Sequence, residues 1–381
     1  MRDRAAALLV AAAVASMLGA CAAPPTGQSG DARPSETRPP AEEDLLVPPA
    51  LRERVRADAL RRARVWLPPE RPIAEADLAA NPPGPGAFRA DEDVDCTFQL
   101  RPSEGWSPKF DCRLAAGDVV KVKYGHNSVE VFGEVAATRL LSALGFGADR
   151  WYVVRSVRCR GCPTFPYPKV KFLDALLRDP ARVVTFTMAT IERKMRGHAI
   201  KGAHGSGWAW PELDKIDPAA GGSSRAEMDA LRLVAVFLND WDSKPSNQRL
   251  VCLPGGESPA GCSRSFAILQ DVGETFGPRG VDLDGWRRTP IWADAATCRV
   301  SMKDLPYQGA TFGEARITEA GRRLLADGLR QLSPAQARAL FVGARFPEFA
   351  RQSPAGRDVD NWVAAFEDRV RQIADRAPCP Q

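Results

Sequence analysis

The pattern of apolar and polar positions divides the chain into a strand-rich first half and a helix-rich second half. Apolar residues alternate with polar ones in three runs between residues 94 and 124, VDCTFQL, KFDCRL and DVVKVKY, and this alternation predicts β-strands. The AAGD stretch between the last two runs predicts a hairpin turn. Two later runs, WYVVRSVRC and RVVTFTMATIER, predict further strands.

Apolar residues three to four positions apart predict helices elsewhere. In the first half, SVEVFGEVAATRLLSALGFG has this spacing, and Gly145 ends the helix. In the second half, SSRAEMDALRLVAVFLND opens with Ser224 and Glu227 at the spacing of a capping box. Three more helices are predicted by RITEAGRRLLADGLRQL, SPAQARALFVGA and VDNWVAAFEDRVRQI, and one short buried strand by SFAILQDVG.

The order of these elements predicts an α+β fold with two lobes. A β-rich N-terminal lobe covers residues 94–203, and an α-helical C-terminal lobe covers 204–381. Residues 50–93 precede both lobes as a helix followed by an irregular extension, because six prolines interrupt the stretch PPERPIAEADLAANPPGPG.

The N-terminus has the composition of an export signal. A charged MRDR is followed by a 16-residue apolar run that ends in LGAC, so residues 1–20 predict a signal peptide. Small residues before Cys21 resemble the bacterial lipobox, which implies lipidation of Cys21; a plain signal peptide with a chance cysteine is the alternative. Residues 21–49 are rich in proline and polar residues and predict a flexible tether. We therefore expect a chain anchored through its N-terminal lipid to the membrane of a bacterial cell envelope, on the periplasmic or another extracytoplasmic face.

Export changes the interpretation of the cysteines. Nine are present, and eight remain when Cys21 is set aside, an even number that favours disulfides in an oxidising compartment. Eight cysteines allow 105 pairings. Local spacing favours three pairs and leaves Cys298 and Cys379 over; the three are Cys252 with Cys262, Cys159 with Cys162, and Cys96 with Cys112. The CRGC motif also allows a redox-active pair or half of a zinc site.

Charge and composition argue against one class of partner. The formal net charge is only +5, and the basic residues are scattered without interleaved aromatic residues. Nucleic-acid binding is therefore not supported. Apolar residues make up 44% of the chain, which is ample for a sizeable core.

One polar stretch interrupts the apolar pattern at a helix end. DSKPSN, residues 242–247, follows a capped amphipathic helix and groups Asp242, Lys244 and Asn247. Further along, LQDVG places Asp271 at the end of a predicted strand. Phosphoryl transfer uses such a set, because an aspartate receives the acceptor's proton while an asparagine and a second aspartate bind divalent metal.

The upstream part of the chain supplies the remaining groups for this chemistry. Lys121 and Lys123 lie two residues apart on one predicted strand, so their side chains share a face. The next helix offers Glu134, or Glu130 one turn earlier, as the partner of the lysine that reaches the phosphates. We favour Lys123 with Glu134.

These motifs resemble the protein-kinase superfamily over roughly residues 94–345. DSKPSN resembles the D-x-K-P-x-N catalytic loop, DVG resembles the D-F-G metal motif, and DVVKVKYG resembles the strand that carries the nucleotide-binding lysine. The resemblance implies a two-lobed kinase-like fold. It implies that Asp242 and Lys244 are catalytic and that Asn247 and Asp271 bind Mg²⁺ or Mn²⁺.

The chain also departs from the ordinary kinase pattern. It has no G-x-G-x-x-G before the lysine strand, and EGWSPKF is the nearest candidate, with Ser107 and Lys109 as possible phosphate contacts. DWD stands where H-R-D is expected, with Asp240 interpreted as a loop brace, and A-P-E is absent. The pattern is closer to atypical bacterial kinase-like families of the HipA and CotH types.

The resemblance implies an envelope-anchored phosphotransferase that uses ATP or another nucleotide and modifies an unknown hydroxyl-bearing acceptor. Little ATP is expected outside the inner membrane, which favours a non-catalytic pseudokinase or an envelope binding or scaffold lipoprotein as the alternative. Transfer of a different nucleotide moiety by the same metal site is a third possibility.

Overall fold

Five strands of the first half close into a barrel in the order β1-β2-β3-β5-β4. The computed structural model describes residues 44–101, 107–164, 166, 179–203, 205–306 and 311–380. Neighbouring strands of the barrel are antiparallel except β1 and β4, which pair in parallel. The strands are β1 Asp93–Gln99, β2 Lys109–Leu114, β3 Val119–Tyr124, β4 Arg150–Arg160 and β5 Val183–Arg193.

The alternation of side chains along these strands separates an apolar interior from a polar outer face. Val120 and Val122 of β3 are buried inside the barrel with Tyr152 of β4 and Ile191 of β5. Residues in a strand point alternately to opposite faces, so Lys121 and Lys123 leave β3 on the outer side. The barrel thus turns the two lysines toward the rest of the molecule.

Four disulfides join the eight cysteines that lie in the described part of the chain. Two lie in the barrel: Cys96–Cys112 ties β1 to β2, and Cys159–Cys162 closes the turn after β4. The Cys252–Cys262 bond closes a short loop of the second half. The two cysteines that local spacing left over form the Cys298–Cys379 bond, which ties the C-terminus to the body of the second half.

One helix packs against the outer face of the barrel, and six other helices are described. The packing helix is α2, Val129–Ala143, which contacts β4 and is buried along nearly its whole length. The others are α1 Arg52–Arg61, α3 Arg225–Leu238, α4 Leu283–Arg288, α5 Glu319–Leu329, α6 Pro334–Gly343 and α7 Val359–Ala374. No helix in these described ranges is both long and apolar enough to cross a membrane.

The core of the second half is built around α3. Its residues from Met228 to Leu238 are all buried, and Ser224 and Glu227 form the capping box that the sequence predicts. The helix ends because Asn239 adopts a left-handed conformation with φ 58°. Helices α5 and α7 pack around this core, and Trp286 packs edge-on against Phe237.

Short strands complete the second half, and two of them, β7 and β10, adjoin the DSKPSN and DVG segments. A three-stranded sheet has the order β10-β7-β6, and two two-stranded sheets pair β8 with β9 and β11 with β12. Their bounds are β6 His198–Ala199, β7 Gln248–Cys252, β8 Glu257–Ser258, β9 Gly261–Cys262, β10 Ser265–Leu269, β11 Arg299–Ser301 and β12 Glu314–Arg316.

The fold is α+β, as the sequence predicts. The predicted strands and helices are present with ends displaced by a few residues, whereas closure of the five strands into a barrel was not predicted. The parallel pairing of β1 with β4, from Asp93 opposite Ser156 to Thr97 opposite Arg160, brings together segments about sixty residues apart. Cys21, its proposed lipid and most of the tether lie outside the described residues.

Candidate functional site

A buried lysine surrounded by three carboxylates forms the centre of the site. The Nζ atom of Lys123 lies 2.7 Å from Oε2 of Glu134 and 3.0 Å from Oδ1 of Asp271, and it also pairs with Glu130. Lys123 is only 1% exposed. The carboxylate oxygens of the three acids lie within 4.8 Å of one another.

Local structure explains why these side chains converge. Strand β3 points Lys123 toward α2, and Glu130 and Glu134 share a face of that helix because they are four residues apart. Two glycines permit the close approach of α2 to the segment after β10. A Cβ on Gly133 would lie 2.3 Å from the carbonyl oxygen of Gly273, so no other residue fits there without movement of the backbone.

The charges of the cluster shift its pKa values strongly. Burial alone would lower the pKa of Lys123, but the charges of Asp271, Glu130 and Glu134 outweigh burial and hold this pKa well above its usual value. Burial raises the pKa of Glu134 well above its usual value, and Lys123 offsets this only in part. Burial would also raise the pKa of Asp271, but the charge of Lys123 dominates and lowers it. The cluster therefore favours the charged form of Lys123, the ionised form of Asp271 and the protonated form of Glu134.

The loop after α3 lies beside Asp271. The Nζ atom of Lys244 is 2.9 Å from Oδ1 of Asp242, and Nδ2 of Asn247 donates a hydrogen bond of 2.5 Å to the carbonyl oxygen of Asp242. The backbone amide groups of Gln270 and Asp271 donate to the carbonyl oxygen of Asn247 at 3.0 and 3.3 Å. These bonds fix the DSKPSN loop against the end of β10.

Asp242 is paired with Lys244 but is not fully buried. Its side chain is 22% exposed. Burial raises the pKa of Asp242, while its bond to Lys244 acts in the opposite direction. A carboxylate with a raised pKa is a better proton acceptor than an ordinary surface aspartate.

Two further acids belong to the site, and sequence analysis gave them no chemical role. Burial, with the charges of Asp242 and Asp271, raises the pKa of Asp240 to about 8. Its Oδ2 atom is buried and has no hydrogen-bond partner within the part of the chain that the structure describes. Burial and nearby carboxylates, Glu130 first, raise the pKa of Glu274 to about 7. Asp240 lies in the quoted DWD and Glu274 follows DVG, but neither pattern reveals burial.

Lys109 and Ser107, the two residues of EGWSPKF that were predicted to contact phosphate, both lie near the charge cluster but have different partners. Lys109 stands opposite Lys123 in the β2–β3 register and is 8% exposed. Burial, and then the charge of Lys123, lower the pKa of Lys109, which forms no ion pair with the described residues. Ser107 donates to the Glu130 carboxylate.

Lys121 lies outside the cluster. Its Nζ atom is 2.6 Å from Oε2 of Glu192, and its side chain is 31% exposed. Glu192 also receives Lys194 at 2.6 Å, and Lys194 in turn contacts Asp149 at 3.1 Å. This chain of charges was not predicted; its only signal in the sequence is a lone glutamate in the otherwise apolar pattern of β5.

The donor atoms of the site suit a hard divalent cation. All three cluster acids offer carboxylate oxygens, and Asn247 has its side-chain oxygen available while its Nδ2 atom bonds Asp242. Mg²⁺ and Mn²⁺ prefer oxygen ligands of this kind. Three carboxylates around one lysine also leave an excess of negative charge when all are ionised, which favours a cation.

No protein-family model matches the chain, and no curated protein matches it. The chain is similar to a solved structure, the crystal structure of a Helicobacter pylori proinflammatory kinase, CtkA, at 8% sequence identity. The match covers 74% of this chain and 97% of that one, with a TM-score of 0.38. A TM-score this low carries no argument, so the functional conclusion depends on the geometry of the site.

Proposed function

We propose that the chain is an envelope-anchored lipoprotein with a two-lobed, atypical kinase-like domain that transfers a phosphoryl group from a nucleotide to a hydroxyl-bearing acceptor. One observation carries this proposal: Lys123 joins Glu134 of α2 to Asp271, next to the loop that contains Asp242 and Asn247. These five residues, a lysine, a glutamate, two aspartates and an asparagine, are the parts that phosphoryl transfer requires.

The lysines supply the positive charge that phosphate groups need. Lys123 is fixed by its acidic neighbours, while Lys109 is nearly buried without an ion-pair partner among the described residues. A buried, unpaired ammonium group costs free energy, and an anionic ligand beside it would recover that cost. Lys109 therefore supports a phosphate position between β2 and the charge cluster.

Asp271 and Asn247 are the residues that would hold Mg²⁺ or Mn²⁺. When bound, such a cation supplies charge neutralisation on the phosphate oxygens. Asp271 contacts Lys123, and 35% of its side chain is exposed. It is therefore accessible to a cation from solvent.

Asp242 receives the proton in the proposed reaction. The hydroxyl oxygen of the acceptor attacks the terminal phosphorus atom, and the bond from that phosphorus to the bridging oxygen breaks. The leaving group retains the electron pair of that bond, and the hydroxyl proton moves to the carboxylate of Asp242. Lys244, 2.9 Å from Asp242, keeps this carboxylate oriented and lies where it can contact the transferred group.

The proposed location in the cell envelope depends on the N-terminal sequence, and the disulfides support it. Cys21 after LGA is the proposed lipid attachment site. Four disulfides suit an oxidising compartment.

The direct test is nucleotide binding by the full chain with and without metal. We expect thermal stability to rise with at least one common nucleotide only when Mg²⁺ or Mn²⁺ is present, because ligand binding stabilises the folded state. Asp271→Ala should abolish the metal-dependent rise. Asp304→Ala is the matched control, since Asp304 is exposed and lies outside the site.

A second variant separates binding from transfer. Asp242→Asn keeps the size of the side chain but cannot accept the proton, so binding should persist while phosphoryl transfer falls by roughly 10²–10⁴-fold. The ion pair between Lys123 and Asp271 favours the alternative, a non-catalytic kinase-like module, because the two groups already satisfy each other. If no nucleotide stabilises the wild-type chain with metal, and Asp271→Ala changes nothing, the non-catalytic alternative is correct.

A further inference from the structure

A cavity lies along β3 and begins at Lys121, two residues from Lys123 of the charge cluster; its described lining includes no member of that cluster. Lys121 leaves the strand on the same face as Lys123, two residues away, and lines a cavity of about 800 Å³. The other walls come from the start of β4, from the end of β5 with residues 194–198, and from residues 254–257. A ligand that reaches Lys123 can therefore extend along the strand into this cavity.

The lining of the cavity carries excess positive charge. Six arginines and lysines and four aspartates and glutamates line it. Acidic residues of the lining form ion pairs with basic residues of the same lining. Asp118 contacts Arg193 at 2.8 Å, and Glu192 contacts Lys121 and Lys194, each at 2.6 Å.

Two arginines of the lining have no such partner. Arg150, half-buried at the start of β4, and Arg196, exposed after β5, form no ion pair with any residue in the described ranges. A guanidinium group binds phosphate through two parallel hydrogen bonds, and it stays charged at any pH of interest. These two side chains are the groups of the cavity that are free to bind an anion.

The lining of the cavity is poor in aromatic side chains that could stack on a nucleotide base. None of its described lining residues is Phe, Tyr or Trp, and its aromatic surface is limited to the imidazole of His198, which pairs with Glu257, so a purine would find little surface on which to stack. Its apolar contribution comes mainly from small groups such as Val119 and Pro254 and from Met195. The lining thus selects for charge rather than for aromatic surface.

We propose that this cavity binds the part of the phosphoryl donor that is not transferred, and that it recognises the phosphates of that donor rather than its base, so that an inorganic oligophosphate can take the place of a nucleotide. This rests on the proposed phosphotransferase function and names its donor class. The terminal phosphoryl group lies at Lys123 and Lys109, and the remaining phosphates follow β3 past Lys121 to Arg150 and Arg196. Transfer breaks the terminal P–O–P bridge, and the shortened oligophosphate leaves with the electron pair.

The experiment compares three probes by isothermal titration calorimetry on the full chain at physiological salt with Mg²⁺: inorganic tripolyphosphate, ATP and adenosine. We expect tripolyphosphate to bind at least as tightly as ATP and adenosine not to bind. The double variant Arg150→Ala/Arg196→Ala should weaken tripolyphosphate binding about tenfold or more. Arg54→Ala/Arg288→Ala removes the same charge from two exposed arginines that do not line the cavity, and it should bind like the wild type.

The outcomes separate this proposal from the one on which it rests. If ATP binds through Asp271 but neither ATP nor tripolyphosphate depends on Arg150 and Arg196, the cavity has been misassigned and the phosphotransferase proposal stands. Binding of adenosine alone also overturns the oligophosphate assignment. If none of the probes binds, both proposals are wrong. The variant Arg150→Lys/Arg196→Lys keeps the charge but loses the forked geometry of the guanidinium groups. Its affinity for tripolyphosphate should lie between that of the wild type and that of the alanine variant, and it serves as the test if the alanine variant does not fold.

Discussion

Replacing Lys123 by methionine tests the electrostatics of the cluster. The substitution keeps an apolar stem of similar length and removes the one positive charge among Glu130, Glu134 and Asp271, whose oxygens lie within 4.8 Å of one another. Removal of one partner from a buried ion pair typically costs about 3–5 kcal/mol, because the remaining charge stays buried. We expect Lys123→Met to lower the free energy of unfolding by about that amount at pH 8.

The matched control is Lys121→Met on the same face of the same strand. Lys121 is 31% exposed, and its partner Glu192 keeps Lys194 at 2.6 Å after the change. A partly exposed ion pair of this kind contributes about 1 kcal/mol or less. Urea denaturation followed by tryptophan fluorescence measures both variants against the wild type.

The pH dependence gives the deciding comparison. Without Lys123 the pKa values of Glu134 and Asp271 rise, since the charge that favoured their ionised forms is gone. Protons bound at pH 5 then relieve part of the repulsion, so the loss of stability in Lys123→Met should be smaller at pH 5 than at pH 8. Equal losses in the two lysine variants, or a loss that is the same at both pH values, would refute this account of the cluster.

Three further predictions concern other parts of the chain. Asp240 has a pKa raised from 3.8 to about 8, so the folded state keeps a proton that the unfolded state loses, and stability should fall as pH rises from about 4 to 8. Asp240→Asn should flatten this slope in pH-dependent urea denaturation, by at most roughly 5 kcal/mol over the range; an unchanged slope would show that Asp240 is ionised in the folded state. The Cys298–Cys379 bond spans 81 residues, so the double alanine variant should lose about 4 kcal/mol of stability, measured by urea denaturation under oxidising conditions; a loss below about 1 kcal/mol would contradict the bond's role. Mass spectrometry of protein from the envelope should find Cys21 at the N-terminus with lipid attached, and an unmodified N-terminus elsewhere would end that prediction.

The sequence by itself determined the local elements. Strands such as Lys109–Leu114 and Val119–Tyr124 follow from alternation, and the start of α3 follows from Ser224 and Glu227, because these signals involve residues a few positions apart. The DSKPSN loop was found for the same reason. Closure of the barrel was not accessible in this way, since the pairing of β1 with β4 joins segments about sixty residues apart and no local pattern encodes it.

Tertiary structure alone decided which predicted groups meet. The sequence places Lys121 and Lys123 on the same face of one strand and does not distinguish them. In the structure α2 covers Lys123, while Glu192 of β5 lies beside Lys121. Glu130 and Glu134 were alternatives, and both reach Lys123 because they share a helix face.

The acid–base character of the site also depends on tertiary structure. Asp240 and Glu274 have ordinary neighbours in the sequence, and their pKa values rise because the fold removes water and brings other carboxylates close. Burial and charge are sums over residues distant in sequence, so residue types and their spacing in the chain do not reveal them.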